Sequence, residues 1–176
     1  MLLRGSGIAA AALVAAVVAT VPAGADPSGD LMGMLPAGYS SDSCEPADST
    51  GALAAVPCRE NSLPGGPTVA TYWLFGDDSA LQHAFTDYLG RADWAAAVCP
   101  GMQSSEPTVV LGPDGDRYGL IACGRGTGTD WQVRDGAVAW THDAAHFLGV
   151  AYVGYQGQAF PASLYDWTRG HMQSRS

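Results

Sequence analysis

Apolar residues along this chain follow three different patterns, and each predicts a different kind of element. Ile8 to Val21 is an uncharged run of fourteen residues, mostly Ala and Val, with no polar face. From Thr68 to Phe75 the pattern has period two, with Val69, Thr71 and Trp73 on one side and Ala70, Tyr72 and Leu74 on the other. Both sides carry apolar groups, which predicts a strand inside a sheet. Leu81, Ala84, Phe85, Tyr88 and Leu89 then recur at helical spacing, a single apolar stripe behind Asp77-Asp78. A carboxylate there accepts backbone N–H bonds and meets the positive end of the helix dipole, and Gly90 closes the helix.

The remaining elements follow the same logic. Leu53 to Cys58 predicts a short strand, held to a sheet edge by Pro57. Val109 to Leu111 and Tyr118 to Cys123 flank Gly112-Pro113-Asp114-Gly115-Asp116, a hairpin signal. Gly124 to Asp130 is expected as a glycine-rich connection, and Ala137 to Thr141 and Phe147 to Gly154 as two strands around a His-Asp-Ala-Ala-His turn. A last helix is expected from Pro161 to Gly170, with Phe160, Leu164 and Trp167 on one side. The resulting order, β-β-α then β-β-β-β-α, is a faint echo of a duplicated unit. It predicts an α+β fold, an antiparallel sheet with two amphipathic helices packed on one face.

The first 25 residues have the layout of a secretory signal: Arg4 in the n-region, the Ile8–Val21 run, and Ala23-Gly24-Ala25 before Asp26. The run stops at Pro22, short of the roughly 20 apolar residues a membrane span needs. The expected organisation is therefore a signal peptide at 1–25, an irregular Pro/Gly/Ser-punctuated segment at 26–43 touching the core only at Met34-Leu35-Pro36, and one domain at 44–176. Cleavage leaves seven Arg, no Lys and seventeen acids, a charge of −10. That composition excludes a basic groove for nucleic acid and disfavours docking on anionic lipid. No later segment is apolar for long enough to span a bilayer.

Cys44, Cys58, Cys99 and Cys123 all lie in the exported part, and an even count in an oxidising compartment favours a disulfide framework. Three connectivities are open. Local pairing, Cys44–Cys58 and Cys99–Cys123, is the expected one; each closes a loop of about 15 to 25 residues.

Met34 to Ser40, then Cys44, Ala54 to Cys58, and Ala70 to Phe75 occur in an order shared with other chains. So do Leu81, Ala84-Phe85, Cys99-Pro100-Gly101, Ala122-Cys123-Gly124, Trp140-Thr141, and Leu164 followed by Trp167. The set resembles small exported proteins of mycobacteria and related actinobacteria, and the extracytoplasmic segments C-terminal to some of their serine/threonine kinases. It departs at Trp167-Thr168, where paired tryptophans are expected. The resemblance implies a disulfide-bonded extracytoplasmic module and no catalytic residue.

Chemistry has few footholds. His142-Asp143-Ala144-Ala145-His146 would place two imidazoles on one face of a helix, with His83 or His171 as a third metal ligand. The acid is Asp rather than the longer Glu, and the segment lies between strands, so a polar turn is the simpler reading. Asp114 and Asp116 lack the later ligands of a calcium loop. Gly124-Arg125-Gly126-Thr127-Gly128 precedes no helix, as a phosphate loop must, and Gly-x-Ser-x-Gly is absent from the exported chain. Of five tryptophans, Trp73, Trp140 and Trp167 are expected in the core and Trp131, beside Asp130, is the candidate exposed binding aromatic. The expectation is an exported, non-catalytic module without cofactor or metal, binding a ligand or protein partner at the cell envelope. The alternative is a small metal-dependent hydrolase using His142, Asp143 and His146.

Overall fold

The computed structural model describes residues 26–126, 136–154 and 162–172. Period-two segments become strands because each can bury one side chain in two on each face of a sheet. Seven result: β1 (Ala54–Cys58), β2 (Val69–Leu74), β3 (Trp94–Ala97), β4 (Thr108–Leu111), β5 (Arg117–Gly126), β6 (Gly136–His142) and β7 (Phe147–Val153). They form one sheet in the order β1-β2-β7-β6-β5-β3, every pairing antiparallel. The ten residues of β5 are long enough to serve two neighbours on one edge. Arg117–Ile121 pair with β4 and Cys123–Gly126 pair with β3. Gly124-Arg125-Gly126 is therefore strand rather than connection, and β3 is an element the periodicity did not reveal.

Three helices cover this sheet: α1 (Pro27–Met34), α2 (Asp78–Leu89) and α3 (Ala162–Met172). Asp77 caps α2, its Oδ1 accepting the Ala80 N–H at 2.8 Å. Gly90 ends α2 in the right-handed region (φ −81°), its N–H donating to Thr86 O, so its lack of a side chain is not what stops the helix. Gly170 lies inside α3, which runs on to Met172.

The two helices expected from sequence, α2 and α3, do not share a face. Leu81 and Phe85 of α2 pack with Ala137, Ala139, Leu148 and Val150. Leu164 and Trp167 of α3 pack with Val138, Trp140 and Ala151, together with Leu31 and Leu35. Successive residues of β6 alternate between these two clusters, so α2 lies on one face and α1 with α3 on the other. The physical reason is that β7 and Gly136–Trp140 of β6 are apolar on both faces, and each face needs a cover.

The N-terminal segment also departs from expectation. Residues 26–43 are not wholly irregular, because Asp26 caps α1 through Ser28 N and Pro27 stands in its first turn. Leu31 is fully buried and Leu35 nearly so, whereas Met34 is 37% exposed. Leu35 makes the contact expected of Met34-Leu35-Pro36, and Leu31, one helical turn earlier, makes a second.

Both disulfides are the local ones, Cys44–Cys58 and Cys99–Cys123. The first fastens the segment before β1 to the sheet edge, where Cys44 and Ala47 also bridge to Cys58 and Ala55. The second ties the chain leaving β3 to the middle of β5.

Two glycines set how closely the tryptophans pack. Gly149 faces Trp140 across β6–β7, and a Cβ there would sit 2.4 Å from the indole Cζ2. Gly124, paired with Ala96, lies diagonally against Trp94, and a Cβ there would sit 2.4 Å from the indole Cε2. Gly149→Ala should destabilise the protein by about 1–3 kcal/mol through overpacking, since Trp140 is only 2% exposed and cannot swing away. Urea unfolding with the disulfides intact measures it.

Candidate functional site

Among the described residues, a cleft lies under each layer of helices. The larger, about 480 Å³, lies between α2, β2 and the segment 49–52 that leads into β1. The half-buried rings of Trp73 and Tyr88 form its floor with Phe75 and Leu148. Trp73 and Tyr88 are 5.9 Å apart between ring centroids and tilted by 56°. Ala80 and Ala84 leave room above them, because any larger residue at these helix positions would fill the space. His83, Asp87 and Arg91 stand on the α2 side of the rim, opposite Ser49 and Thr50.

The rim is internally balanced. His83 Nδ1 lies 2.9 Å from Asp87 Oδ2, one helical turn away and well exposed. Arg91 holds Asp93 through both Nε and Nη2 and lies 5.1 Å above the centre of the Tyr88 ring. That bidentate carboxylate raises the Arg91 pKa further, so the guanidinium is charged at every accessible pH. The Tyr88 hydroxyl is hydrogen-bonded to that of Tyr152, and burial pushes its pKa well up. A phenol held neutral in this way is a hydrogen-bonding group and not a nucleophile.

The second cleft, about 240 Å³, lies on the opposite face between α1, α3 and the ends of β5, β6 and β7. Tyr118, Trp140 and Phe147 line it, with Met34 and Met172 from the helices. Two histidines that lie 29 positions apart in sequence, His142 and His171, meet at this cleft. The His142 ring stacks on Tyr118 at 4.1 Å and 8°, and His171 stacks on Trp167 at 4.7 Å. Burial lowers the His142 pKa below the ordinary 6.5, against the opposing pull of Asp143. The fold therefore prefers the neutral imidazole. The unfolded chain binds the extra proton more readily, so the resulting stability is present above pH 6.5 and lost as pH falls. An NMR titration should place the His142 midpoint below 6.5, and the fall in stability between neutral and acidic pH should be smaller in His142→Gln.

Of the His-Asp-Ala-Ala-His segment, His142 ends β6, Asp143–Ala145 form a 3-10 turn, and His146 adopts the left-handed region at φ 50°. The turn is not merely exposed and polar. Arg117 Nε donates to Asp143 Oδ2 at 2.7 Å, and Thr141 Oγ1 and Gln82 Nε2 donate to Oδ1 at 2.7 and 3.2 Å. Thr141, fully buried, also accepts the Leu120 N–H. Asp143 thus joins α2, β5 and β6 at one end of the sheet. Asp143→Ala should cost about 2–3 kcal/mol, because it strands the Thr141 hydroxyl and a charged hydrogen bond. Asp143→Asn should cost less, and equilibrium unfolding of the pair separates shape from charge.

The histidines do not converge. His142 and His171 share the second cleft, His83 lies at the first on the other face, and His146 lines neither. Among the described residues, no group of three or more His, Cys, Asp or Glu side chains is placed to hold a metal ion. Asp114 and Asp116 sit in the β4–β5 hairpin, where Gly115 takes φ 84° and Gly112 N–H donates to Asp116 O. Trp73 is half-buried, Trp94, Trp140 and Trp167 are buried, and Trp131 lies outside the described residues. Sequence reasoning did not mark Tyr88, Arg91 or Tyr118 as site residues; α2 packing on the sheet brings Tyr88 and Arg91 to Trp73, and the β5–β6 pairing brings Tyr118 to His142. No family model, curated protein or solved structure matches the chain.

Proposed function

We propose that this chain is an exported, non-catalytic module that binds a ligand or protein partner at the cell envelope. The observation that carries the reading is the larger cleft, an aromatic floor of Trp73, Phe75 and Tyr88 beneath a rim of hydrogen-bonding groups. Such a combination is the usual make-up of a small-molecule site: apolar surface for affinity and a few polar groups for orientation. Two disulfides are consistent with an extracellular protein, and among the described residues no helix is long and apolar enough to cross a membrane. The signal-like residues 1–25 and the resemblance to exported actinobacterial proteins support the same address. Against the metal-dependent hydrolase stands the carboxylate of Asp143, whose two oxygens already accept from three donors.

The test is to fill the cleft without disturbing the core. Ala84, half-buried on the cleft side of α2, can be replaced by tryptophan. Ligand-observed NMR with a library of small aromatic and saccharide compounds should give hits with the wild type that vanish in Ala84→Trp and persist in His142→Ala and His146→Ala. Hits abolished by the histidine variants, together with stoichiometric zinc, would overturn the proposal in favour of the hydrolase.

A further inference from the structure

The floor of the α2 cleft contains two aromatic rings that share no plane. Trp73 and Tyr88 meet at 56°, with 5.9 Å between centroids. A flat aromatic ligand can stack on one of them but not on both, whereas a puckered ring, or two rings joined by a flexible linkage, can lie against both. Each ring is held where it is. Trp73 belongs to a strand paired on both sides, where it stands opposite Ala55 and Leu148. Tyr88 is fixed by the hydrogen bond between its hydroxyl and that of Tyr152, by the nearly perpendicular Trp94 ring at 5.9 Å, and by Arg91 above it. A floor already set in place needs little ordering when a ligand arrives.

Polar groups stand on both sides of this floor. Ser49 and Thr50 bring hydroxyls from the segment before β1, and His83, Asp87 and Arg91 stand on the α2 side. Hydroxyls donate and accept, the carboxylate accepts and the guanidinium donates, so a ligand between them meets both kinds of partner along two of its edges. That pattern calls for a molecule with apolar faces and hydrogen-bonding groups around its circumference. A pyranose has this form: axial C–H groups make its faces apolar, and equatorial hydroxyls, each a donor and an acceptor, surround its edge. Asp87 sets the sign of charge. Exposed at the rim, its carboxylate accepts hydroxyl protons strongly and repels a phosphate or carboxylate ligand. A cleft of about 480 Å³ has room for a mono- or disaccharide unit.

We propose that the α2 cleft binds a neutral saccharide, a pyranose ring lying on Trp73 and Tyr88 with its hydroxyls hydrogen-bonded to Asp87 on one side and to Ser49 and Thr50 on the other. This rests on the reading of the cleft as the binding site and adds the class of ligand to it. The aromatic floor supplies affinity through apolar contact, the Asp87 carboxylate fixes orientation, and Ala80 and Ala84 leave clearance for the ring. A free sugar and the end of a longer glycan present the same ring to this floor.

The oxidised protein, isotope-labelled, can be titrated to the solubility limit with methyl glucosides and mannosides of both anomers, N-acetylglucosamine, cellobiose and maltose. Indole, adenine and the matching uronic acids serve as the contrast. Neutral sugars should shift the signals of residues 49–52 and 80–91 and of the Trp73 indole N–H, and bind at least about threefold more tightly than their uronic acids at low salt. Disaccharides should bind more tightly than monosaccharides if the ligand is a glycan end, and equally if it is a free sugar. Asp87→Asn should weaken binding about tenfold, and Trp73→Phe several-fold, with the urea midpoint of Asp87→Asn near that of the wild type. Ala84→Trp should abolish it. Cleft shifts from indole or adenine with none from the sugars would overturn the saccharide and leave the binding cleft standing; silence at these residues from every compound would overturn both. Sugar binding that survives Ala84→Trp, that neither Asp87→Asn nor Trp73→Phe weakens, or that is tighter for the uronic acids would also overturn the proposal.

Discussion

Phe85→Ala should lower the unfolding free energy by about 3–5 kcal/mol, a large share of the 5–15 typical of a domain this size. Phe85 is 2% exposed and sits with the fully buried Leu81 on α2, the only helix among the described residues that covers this face of β6 and β7. Truncation leaves a cavity against Ala137, Ala139 and Val150. The two alanines are too small to close it, which places the cost in the upper part of the range. His146→Ala, on a half-exposed turn, should change stability by no more than about 0.5 kcal/mol. His142→Ala gives up the Tyr118 stack and should cost about 1 kcal/mol. Urea unfolding at constant m-value ranks the three. If the histidine variants proved as damaging as Phe85→Ala, the turn would carry energy that packing and hydrogen bonding do not explain.

Reduction of both disulfides should have the other large effect. The bridges span 14 and 24 residues, so in the chain-entropy model each contributes about 3–3.5 kcal/mol. Their joint loss is comparable to the stability of the whole domain, and the reduced protein should unfold at or near physiological temperature. Cys99→Ser/Cys123→Ser should be the more damaging single loss. It frees the long connection between β3 and β4, whereas Cys44 lies where backbone bridges to β1 also hold the chain. Thermal unfolding of the two double variants decides the order. A difference no larger than the roughly 0.5 kcal/mol expected from 24 against 14 residues would show that the bridges act through loop length alone.

Much of this fold was legible because its signals are local. Val69–Leu74 alternates, Leu81–Leu89 repeats at helical spacing, Asp77 caps, and Pro57 marks an edge strand. Each property belongs to a few adjacent residues. β3 was hidden because Trp94-Ala95-Ala96-Ala97 has no strand signature of its own and is extended only by pairing with Cys123–Gly126. The face taken by each helix was equally illegible. When both sides of β6 and β7 are apolar, periodicity states that two covers are needed but not which helix supplies which. α1 was missed although Asp26-Pro27 is a start signal, because Gly29, Gly33 and Pro36 obscure the Leu31–Leu35 spacing.

The candidate site was less legible still. The sequence marked His142, Asp143 and His146 as one unit, and the turn separates them. Asp143 binds Arg117, Thr141 and Gln82, and His142 meets His171 from the far end of the chain. Trp73 was assigned to the core, yet it forms the floor of the larger cleft with Tyr88 and Leu148. Apart from the Thr141–Asp143 hydrogen bond, these relations are not encoded by spacing, since they depend on which strand lies beside which and on where each helix packs.

A native mass spectrum of the protein recovered from the medium or envelope of the cells that make it tests the central claim most directly. The proposed exported binding module predicts a chain beginning at Asp26, four hydrogens lighter than the reduced mass. It should carry a small organic adduct that Ala84→Trp loses, and no stoichiometric metal. A chain retained in the membrane from Met1, or one carrying a zinc ion that disappears in His142→Ala, would contradict it.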